Sequence, residues 1–314
     1  MNNQRKCQLS IVIPVFRGKS SLRELYQRLL VTLQSLNISF EILFVEDCGG
    51  DNSWELILEL AQEDNRVCGL RLSRNFGQHN ALLAGIIAAD GVLVATLDDD
   101  LQHPPEELPK LIDKIQEGYD VIYGASKQGP HGFFRNLASK ITKITLQSAM
   151  GVDSAQNVSA FRVFRTQLRS GFEGNRIPEV NIDVLLAWTT TKFATVFIRH
   201  EIRKYGKSGY TTCRLLSHTM NMMTGLSTAP LKLASMTGFV FALFGFFVLV
   251  YIILRYFIEG VSVPGFAFLA SIISLFSGAQ LLALGIIGEY LARMHQKTMD
   301  RPTYLVSETT LPAN

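Results

Sequence analysis

The chain has 314 residues, of which 47% are hydrophobic and 18% are charged, and its formal net charge is +3. This length is enough for one full α/β domain and additional segments. So mild a charge gives no indication of a nucleic-acid partner, and we expect none. The four cysteines show no paired spacing, which is typical of thiols in a reducing compartment and not of a disulfide framework.

Apolar runs and amphipathic segments alternate along the first 124 residues. Strands are predicted at residues 9–15, 40–45, 67–73, 92–97 and 121–124, and helices at residues 22–36, 53–62, 79–89 and 105–116. Ser21 and Glu24 have the spacing of a capping box, which predicts the start of the first helix. Strands alternating with helices predict an α/β fold with a mostly parallel, doubly wound sheet. The polar turns after the second and fourth strands should meet at one edge of that sheet, where open α/β folds bind ligands.

The regular alternation ends near residue 127. A glycine-containing loop is predicted at residues 128–132 and a helix at residues 133–150, followed by strands at residues 158–164 and 193–199. Residues 203–210 (RKYGKSGY) are expected to form a basic turn interrupted by glycine.

Three carboxylates follow the fourth predicted strand, within residues 97–107. Like charges packed together are costly, and a hard divalent cation with oxygen ligands relieves the repulsion. Asp98, Asp100 and Gln102 alternate along the chain and can face one site, so we predict that they bind Mg²⁺ or Mn²⁺. Asp99 between them is expected to face away. The alternative is a solvated turn in which Asp100 precedes a helix.

Other polar residues have two possible roles each. Asp47 follows the second strand and could accept from a pyrimidine ring or a ribose hydroxyl, or it could cap the next helix. Arg74-Asn75, with His79 at a predicted helix start, could be an anion contact or part of a helix cap. Four further basic residues could bind phosphate groups or be solvated surface charges, namely Arg135, Arg162, Arg203 and Lys207.

Two long apolar stretches follow residue 230, at residues 234–256 and 266–288. Each is close to the roughly 20 residues that cross a bilayer as a helix, which favours two spans over two buried core helices. An amphipathic segment at residues 215–233 should lie in the membrane interface. Basic residues flank the spans mainly on one side, which predicts a cytoplasmic domain (1–214), a transmembrane hairpin (234–290) and a cytoplasmic tail (291–314). No signal peptide is expected before the first strand.

Three short motifs occur in a recognisable order. Val45-Glu46-Asp47 is followed by Asp51, then by SRNFG at residues 73–77 and by DDDLQHPPE at residues 98–106. Together they resemble the family-2 glycosyltransferases, above all the branch that loads sugars onto polyprenyl phosphates, such as dolichyl-phosphate mannose synthase and the bacterial undecaprenyl-phosphate glycosyltransferases. The resemblance extends to Arg135 with Ser139, to the basic turn and to the paired apolar stretches at the C-terminus.

The resemblance implies a GT-A catalytic domain, a UDP-linked sugar donor, undecaprenyl or another polyprenyl phosphate as acceptor, Mg²⁺ or Mn²⁺, and inversion at the anomeric carbon. It implies a multi-pass protein of the bacterial cytoplasmic membrane, with both termini cytoplasmic, that could form homo-oligomers. The catalytic residues that it implies are Asp98, Asp100, Arg135 and Arg203, and the donor nucleotide would contact Pro14, Val15, Asp47, Arg74 and Asp98. The implied acceptor and phosphate contacts are Arg135, Ser139, Arg162, Arg203, Lys207 and Ser208, and the implied metal ligands are Asp98, Asp100 and Gln102.

The sequence departs from the family pattern at two places. Arg17-Gly18 replaces an Asn-Glu pair, and Ala160 replaces an acid that often precedes Phe161. A lipid phosphate is largely dianionic at pH 7 and needs no strong base, so the loss of that acid favours a phosphate acceptor. Gln78-His79 resembles enzymes that transfer a modified aminoarabinose. Three other functions stay open: a processive or hydroxyl-acceptor polysaccharide glycosyltransferase, an inactive nucleotide-binding membrane scaffold, and a lipid-linked-sugar flippase.

Overall fold

The computed structural model describes residues 7–126, 158–172, 180–201, 204, 229–259, 265–299 and 301–311. The strands are β1 (Cys7–Val15), β2 (Phe40–Glu46), β3 (Val67–Leu72), β4 (Gly91–Thr96), β5 (Val121–Ser126), β6 (Arg162–Arg165), β7 (Phe193–Ile198) and β8 (Val306–Thr309). The α-helices are α1 (Lys19–Ser35), α2 (Ser53–Glu63), α3 (Gln78–Ala88), α4 (Leu108–Ile115), α5 (Ile182–Thr189), α6 (Ala229–Glu259) and α7 (Phe266–Thr298). Short 3₁₀ helices lie at Pro105–Glu107 and Thr166–Gly171.

Within the described residues the strands form one sheet in the order β7-β5-β6-β4-β1-β2-β3-β8. Strand β1 pairs in parallel with β2 and with β4, β2 with β3, and β5 with β7. Strands β6 and β8 are the antiparallel members. The central strand β1 is buried on both faces, since Ile11, Val12 and Ile13 are all fully buried. A continuous apolar run of this kind is typical of a strand covered by helices on both sides, and the expected α/β class is confirmed.

The start of α1 differs from the expectation. The helix begins at Lys19, and Ser21 lies buried in its first turn, where its hydroxyl donates to the carbonyl of Gly18 at 2.9 Å. The capping-box prediction for Ser21 and Glu24 was therefore wrong. The Asp51 carboxylate, from the turn after β2, instead accepts from the backbone N–H of Lys19 at 3.1 Å. Local spacing could not reveal a helix start whose partner comes from another part of the chain.

The topology decides where a ligand can bind. Strands β2, β1 and β4 are parallel neighbours, so their carboxyl ends lie at the same edge of the sheet. The chain leaves this edge at Phe16, Asp47 and Leu97. Loops that follow the carboxyl ends of parallel strands form the binding crevice of open α/β sheets.

The chain divides into two compact units, one of Met1–Thr211 with Asp300–Asn314 and the other of Thr212–Met299. The first unit contains the whole sheet, and its last strand β8 returns after residue 300 to pair antiparallel with β3. Trp54 of α2 donates from its indole nitrogen to Glu308 of this strand at 3.1 Å. The C-terminal segment is therefore an integral part of the sheet. The boundaries expected at residues 214, 233 and 290 stay predictions.

The second unit contains the helices α6 and α7. Among the described helices, one segment, Leu231–Arg255 in α6, is long and apolar enough to cross a bilayer, with a mean hydropathy of 2.6 and none of it buried. The apolar part of α7, Phe276–Ala292, is shorter. The first expected span therefore has a matching helix, and the second stays a prediction.

Candidate functional site

A pocket opens at the carboxyl edge of the sheet, where β1, β2 and β4 end. The residues that line this acid pocket are Pro14, Val15, Phe16, Asp47, Asn75, Gly77, Gln78, Asp98, Asp99 and Asp100. They come from four separate segments of the chain, and four of them are aspartates. Such a concentration of carboxylates favours a ligand that brings hydrogen-bond donors or a cation.

Asp47 lies directly after β2 and is only 3% exposed. One carboxylate oxygen accepts from the backbone N–H of Phe76 at 2.7 Å, and the other accepts from that of Gly77 at 2.8 Å. Burial raises the pKa of Asp47 above the ordinary value, while these two backbone donors act in the opposite direction. Asp47 therefore shapes the loop before α3, and each of its oxygens retains a second lone pair that a ligand donor could use.

The turn that carries Asp47 is fixed by its neighbour Glu46. This buried carboxylate accepts from the backbone N–H of Gly49 at 2.6 Å and forms an ion pair with Arg71 of β3 at 3.4 Å. Arg71 also pairs with Glu308 of β8 at 2.7 Å. The Arg71 guanidinium of β3 therefore links its own strand to β2 and β8.

The three successive aspartates after β4 all line the acid pocket. Asp98 accepts from the side-chain amide of Gln78 at 2.6 Å, and Asp99 accepts from the backbone N–H of Phe16 at 3.4 Å. Asp100 accepts from the backbone N–H of Gln102 at 3.1 Å. Asp99 therefore also lies at the pocket, with its carboxylate at the end of β1, and the expectation that it faces away from Asp98 and Asp100 stays a prediction. The chain here is a tight turn, with Leu101 at a φ of +61°, so the strict alternation of an extended strand does not apply.

The donor atoms of the pocket suit a hard divalent cation. Carboxylate oxygens are the ligands that Mg²⁺ and Mn²⁺ prefer, and Mg²⁺ is usually held by one or two carboxylates with substrate phosphates completing the shell. Within the described part of the chain, no group of three or more His, Cys, Asp and Glu side chains could hold a metal ion by itself. Asp98 and Asp100 therefore fit a cation that arrives with a phosphate ligand better than a closed protein cage. Gln102 is half-buried beside them and is not among the pocket-lining residues.

Arg162 occupies a different environment from the expected phosphate site. It is only 2% exposed, forms a close ion pair with Asp183 of α5, and donates to the hydroxyl of Thr96 at 3.0 Å. Tyr123 donates to the same Asp183 carboxylate at 3.0 Å, and burial, followed by Asp183, raises the pKa of this tyrosine well above its usual value. These four residues form the Arg162 cluster. Because Asp183 already neutralises the guanidinium, Arg162 is not among the residues that we propose to bind phosphate.

The remaining expected residues are distributed as follows. Arg74 is exposed, and its guanidinium lies over the ring of Phe76 at 4.6 Å. It is not among the residues that line the acid pocket. Five expected residues lie outside the described part of the chain, namely Arg135, Ser139, Arg203, Lys207 and Ser208.

Comparison with known proteins identifies the family. The model of glycosyl transferase family 2 matches residues 10–173, which include every residue that lines the acid pocket. The chain belongs to glycosyl transferase family 2. It is a glycosyltransferase, and the resemblance inferred from the three motifs is confirmed.

Two curated relatives of this glycosyltransferase match almost its full length. The undecaprenyl-phosphate 4-deoxy-4-formamido-L-arabinose transferase of Proteus mirabilis is 34% identical over 304 residues, covering 96% of this chain and 93% of that protein. The enzyme of the same name from Salmonella choleraesuis is 34% identical over 314 residues, with 97% and 94% covered. These relatives are polyprenyl-phosphate glycosyltransferases by name.

Among solved structures, glucosyl-3-phosphoglycerate synthase from Mycobacterium tuberculosis, in complex with Mn²⁺, UDP and phosphoglyceric acid, has a TM-score of 0.53. It is 14% identical, and the match covers 71% of this chain and 78% of that one. A likeness at this identity concerns the fold, and the expected GT-A architecture of the glycosyltransferase domain is confirmed.

The acid pocket contains residues that sequence reasoning missed. Phe16, Gly77 and Gln78 line it beside the expected aspartates and Asn75. The available signal was positional, because Phe16 directly follows β1 and Gln78 opens α3 at the same edge of the sheet. Ligands of open α/β sheets contact strand-end loops and helix starts as a rule, so these positions could have been named with the acids.

Proposed function

We propose that this glycosyltransferase moves a sugar from a UDP-linked donor to undecaprenyl or another polyprenyl phosphate at the cytoplasmic face of the membrane. The observation that carries the proposal is an acid pocket at the GT-A ligand edge of a chain that matches undecaprenyl-phosphate sugar transferases over 93–94% of their length. A sugar of the 4-deoxy-4-formamido-arabinose type is the donor group to test first, since both relatives are named for it.

Asp98 and Asp100, with Gln102, would hold Mg²⁺ or Mn²⁺ together with the donor diphosphate. The cation would supply positive charge against the charge that develops on the departing diphosphate. Asp47 would accept from the nucleoside, through lone pairs not used by Phe76 and Gly77. The half-exposed ring of Phe16 offers an apolar surface at the same pocket.

The acceptor chemistry requires little proton transfer. A phosphate oxygen of the lipid attacks the anomeric carbon, the bond from that carbon to the diphosphate breaks, and the nucleoside diphosphate leaves from the opposite face with inversion. A phosphate monoester is largely dianionic at pH 7, so no carboxylate base is needed where Ala160 stands. Arg135, Ser139, Arg203, Lys207 and Ser208 are proposed to bind the donor and lipid phosphates, with Arg135 and Arg203 opposing the charge that develops.

The membrane part of the proposal is a two-helix hairpin. The segments before and after the helical unit, up to Thr211 and from Asp300, belong to the same compact unit. An even number of crossings returns the chain to the side from which it started, which favours α7 as a second span beside α6. Lys232 and Arg301 flank the proposed hairpin in the sequence at its two outer ends, in accordance with a cytoplasmic position of those ends. Small residues near the start of α6 would permit a homo-oligomer.

The test is a transfer assay with the purified full chain in lipid nanodiscs. A panel of labelled UDP-sugars, including the formamido-arabinose donor, is supplied with undecaprenyl phosphate and Mg²⁺ or Mn²⁺. We expect a chloroform-extractable labelled lipid and one equivalent of free UDP, and both should disappear when EDTA is added. If label enters a water-soluble polymer, or no sugar of the panel reaches the lipid, the proposal fails.

A further inference from the structure

Residues 199–201, the root of the basic turn at residues 203–210, run beside the segment that follows the three aspartates. The backbone N–H of Glu201 donates to the carbonyl of Gln102 at 2.9 Å. Arg199 pairs with the buried carboxylate of Glu107 at 2.8 Å. We call residues 102–107 with residues 199–201 the seam. It joins the proposed metal-binding turn directly to the stretch of chain that leads to Arg203 and Lys207.

Ring contacts lie between the Glu201–Gln102 hydrogen bond and the Arg199–Glu107 ion pair. The rings of His103 and His200 meet edge to face with their centroids 5.3 Å apart, and His103 stacks on Phe161 at 5.7 Å. Three successive residues of the second segment therefore each contact the first segment. Such regular contacts indicate two segments held in register.

Arg28 of α1 bridges the two segments of the seam. Its guanidinium donates to both oxygens of Glu106 at 2.8 and 2.7 Å and to both oxygens of Glu201 at 3.2 and 3.1 Å. The side chain is only 19% exposed. The Arg28 guanidinium also holds the pKa of Glu106 below its usual value, so this pair is ionised at neutral pH. A planar guanidinium can bind two carboxylates with fixed geometry, which a lysine cannot reproduce.

We propose that Arg28 is a positioning residue that fixes the root of the basic turn against the metal-binding turn and thereby aligns the lipid phosphate with the donor. The inference rests on the proposed function for the role of the basic turn. Two residues of chain span at most about 7 Å, so fixing Glu201 also limits where Arg203 can go. Lys204, on the other side of Arg203, pairs with Glu24 of the same helix at 2.7 Å, one turn before Arg28.

A matched control lies on the same helix. Arg23 also pairs with two carboxylates, Glu59 and Glu63, at 3.3 and 3.2 Å, but both belong to α2 and the arginine side chain is 45% exposed. Replacing either arginine by alanine removes one charge and two ion pairs between α1 and other segments of the chain, and Arg28→Ala also removes a longer pair with Glu24 of the same helix at 3.9 Å. Only Arg28→Ala detaches the basic turn from the seam, so any difference between the two variants reports on the seam.

The experiment uses the full-length wild type, Arg28→Ala, Arg28→Lys and Arg23→Ala in nanodiscs. Hydrogen–deuterium exchange of the Glu201 backbone amide tests whether Arg28 holds the seam together. We expect this exchange to be about tenfold faster in Arg28→Ala than in wild type or Arg23→Ala. Kinetics test the consequence. We expect the KM for undecaprenyl phosphate to rise about tenfold in Arg28→Ala while the Kd for UDP changes by less than about twofold. For Arg28→Lys, the lipid KM and the Glu201 exchange rate should lie between those of Arg28→Ala and wild type, because lysine keeps the positive charge but lacks the planar guanidinium that binds two carboxylates.

A second variant separates positioning from general destabilisation. Glu201→Gln removes one carboxylate partner of Arg28, and in that background Arg28→Ala should raise the lipid KM by a smaller factor than in wild type. The proposal is overturned if Glu201 exchange is unchanged in Arg28→Ala, if its lipid KM matches that of Arg23→Ala, or if UDP affinity falls as much as lipid affinity. If the wild type itself transfers nothing to the lipid, the proposed function fails, and the exchange measurement alone still decides whether Arg28 holds the turn.

Discussion

Two groups of charged side chains lie close to the end of β4. In one the charge is paired with other side chains of the protein, and in the other the carboxylates line an open pocket. In the Arg162 cluster, Thr96, Tyr123 and Asp183 surround one buried guanidinium with a carboxylate and two hydroxyl groups. In the acid pocket, Asp47 and the aspartates after Thr96 line an opening, and Asp47 accepts from backbone N–H groups.

This difference separates a structural role from a binding role. A buried charge with its counter-charge inside the protein is costly to disturb and has little affinity left for a ligand. A carboxylate held by backbone donors at the edge of a pocket keeps both its charge and part of its hydrogen-bonding capacity. Substitutions in the acid pocket should therefore affect transfer and leave the fold intact, while substitutions in the Arg162 cluster should affect the fold first.

The largest effect is expected for Asp100→Ala. Removal of a proposed ligand for the cation and its diphosphate should lower the transfer rate by about a thousandfold or more, with a melting temperature close to that of the wild type. The measurements are lipid-linked product formation and thermal unfolding. Asp113→Ala, which removes an exposed carboxylate from α4, is the control and should be fully active. An active Asp100→Ala protein would contradict the assignment of the pocket.

The next effect should be on stability. Arg162→Ala leaves Asp183 buried without its partner and should destabilise the fold by about 3–5 kcal/mol, seen as a lower midpoint of unfolding. Replacing both partners, as Arg162→Met with Asp183→Leu, should recover part of that loss because no unpaired charge remains. If Arg162→Ala keeps the wild-type midpoint and only raises the KM for the lipid, Arg162 binds phosphate and the comparison fails.

Asp47→Asn should have an intermediate effect, confined to the donor. The amide has one carbonyl oxygen, so it can accept from Phe76 or Gly77 but its nitrogen repels the other backbone N–H. We expect the Kd for UDP to rise about tenfold and the KM for the lipid to stay nearly constant, measured by calorimetry and by initial rates. Equal losses for both substrates would mean that Asp47 supports the whole domain and not the donor loop.

The smallest effect is a pH dependence of the contribution that Asp47 makes to stability. Because burial raises the pKa of Asp47, the folded protein holds its proton more tightly than the unfolded chain does. Its contribution to the free energy of unfolding is present below the ordinary pKa of Asp, about 3.9, and is lost as the pH rises through the raised value. The melting temperature of wild type minus that of Asp47→Asn should therefore fall by about 1–3 °C between pH 3.5 and 7. A difference that stays constant or grows with pH would contradict this.

Much of the acid pocket could be predicted because its signals are local. The apolar run that contains β4 ends just before Asp98, and that of β2 ends at Val45, two residues before Asp47, so their positions at the strand ends follow from the sequence alone. The orientation of Asp99 could not be predicted in the same way. It depends on a turn that brings Phe16, from the end of another strand, within reach of the carboxylate.

The sequence by itself determined the alternation of strands and helices, the edge at which the aspartates gather and the membership in family 2, because these depend on periodicity and on short motifs. Only the tertiary structure decided that Arg162 is neutralised by Asp183, that β8 returns to pair with β3, and that Arg28 joins Glu106 to Glu201. Each of these depends on which distant charges and strand edges meet. A charged residue binds a ligand or stabilises the fold according to its neighbours in space, and those are set by how the elements pack.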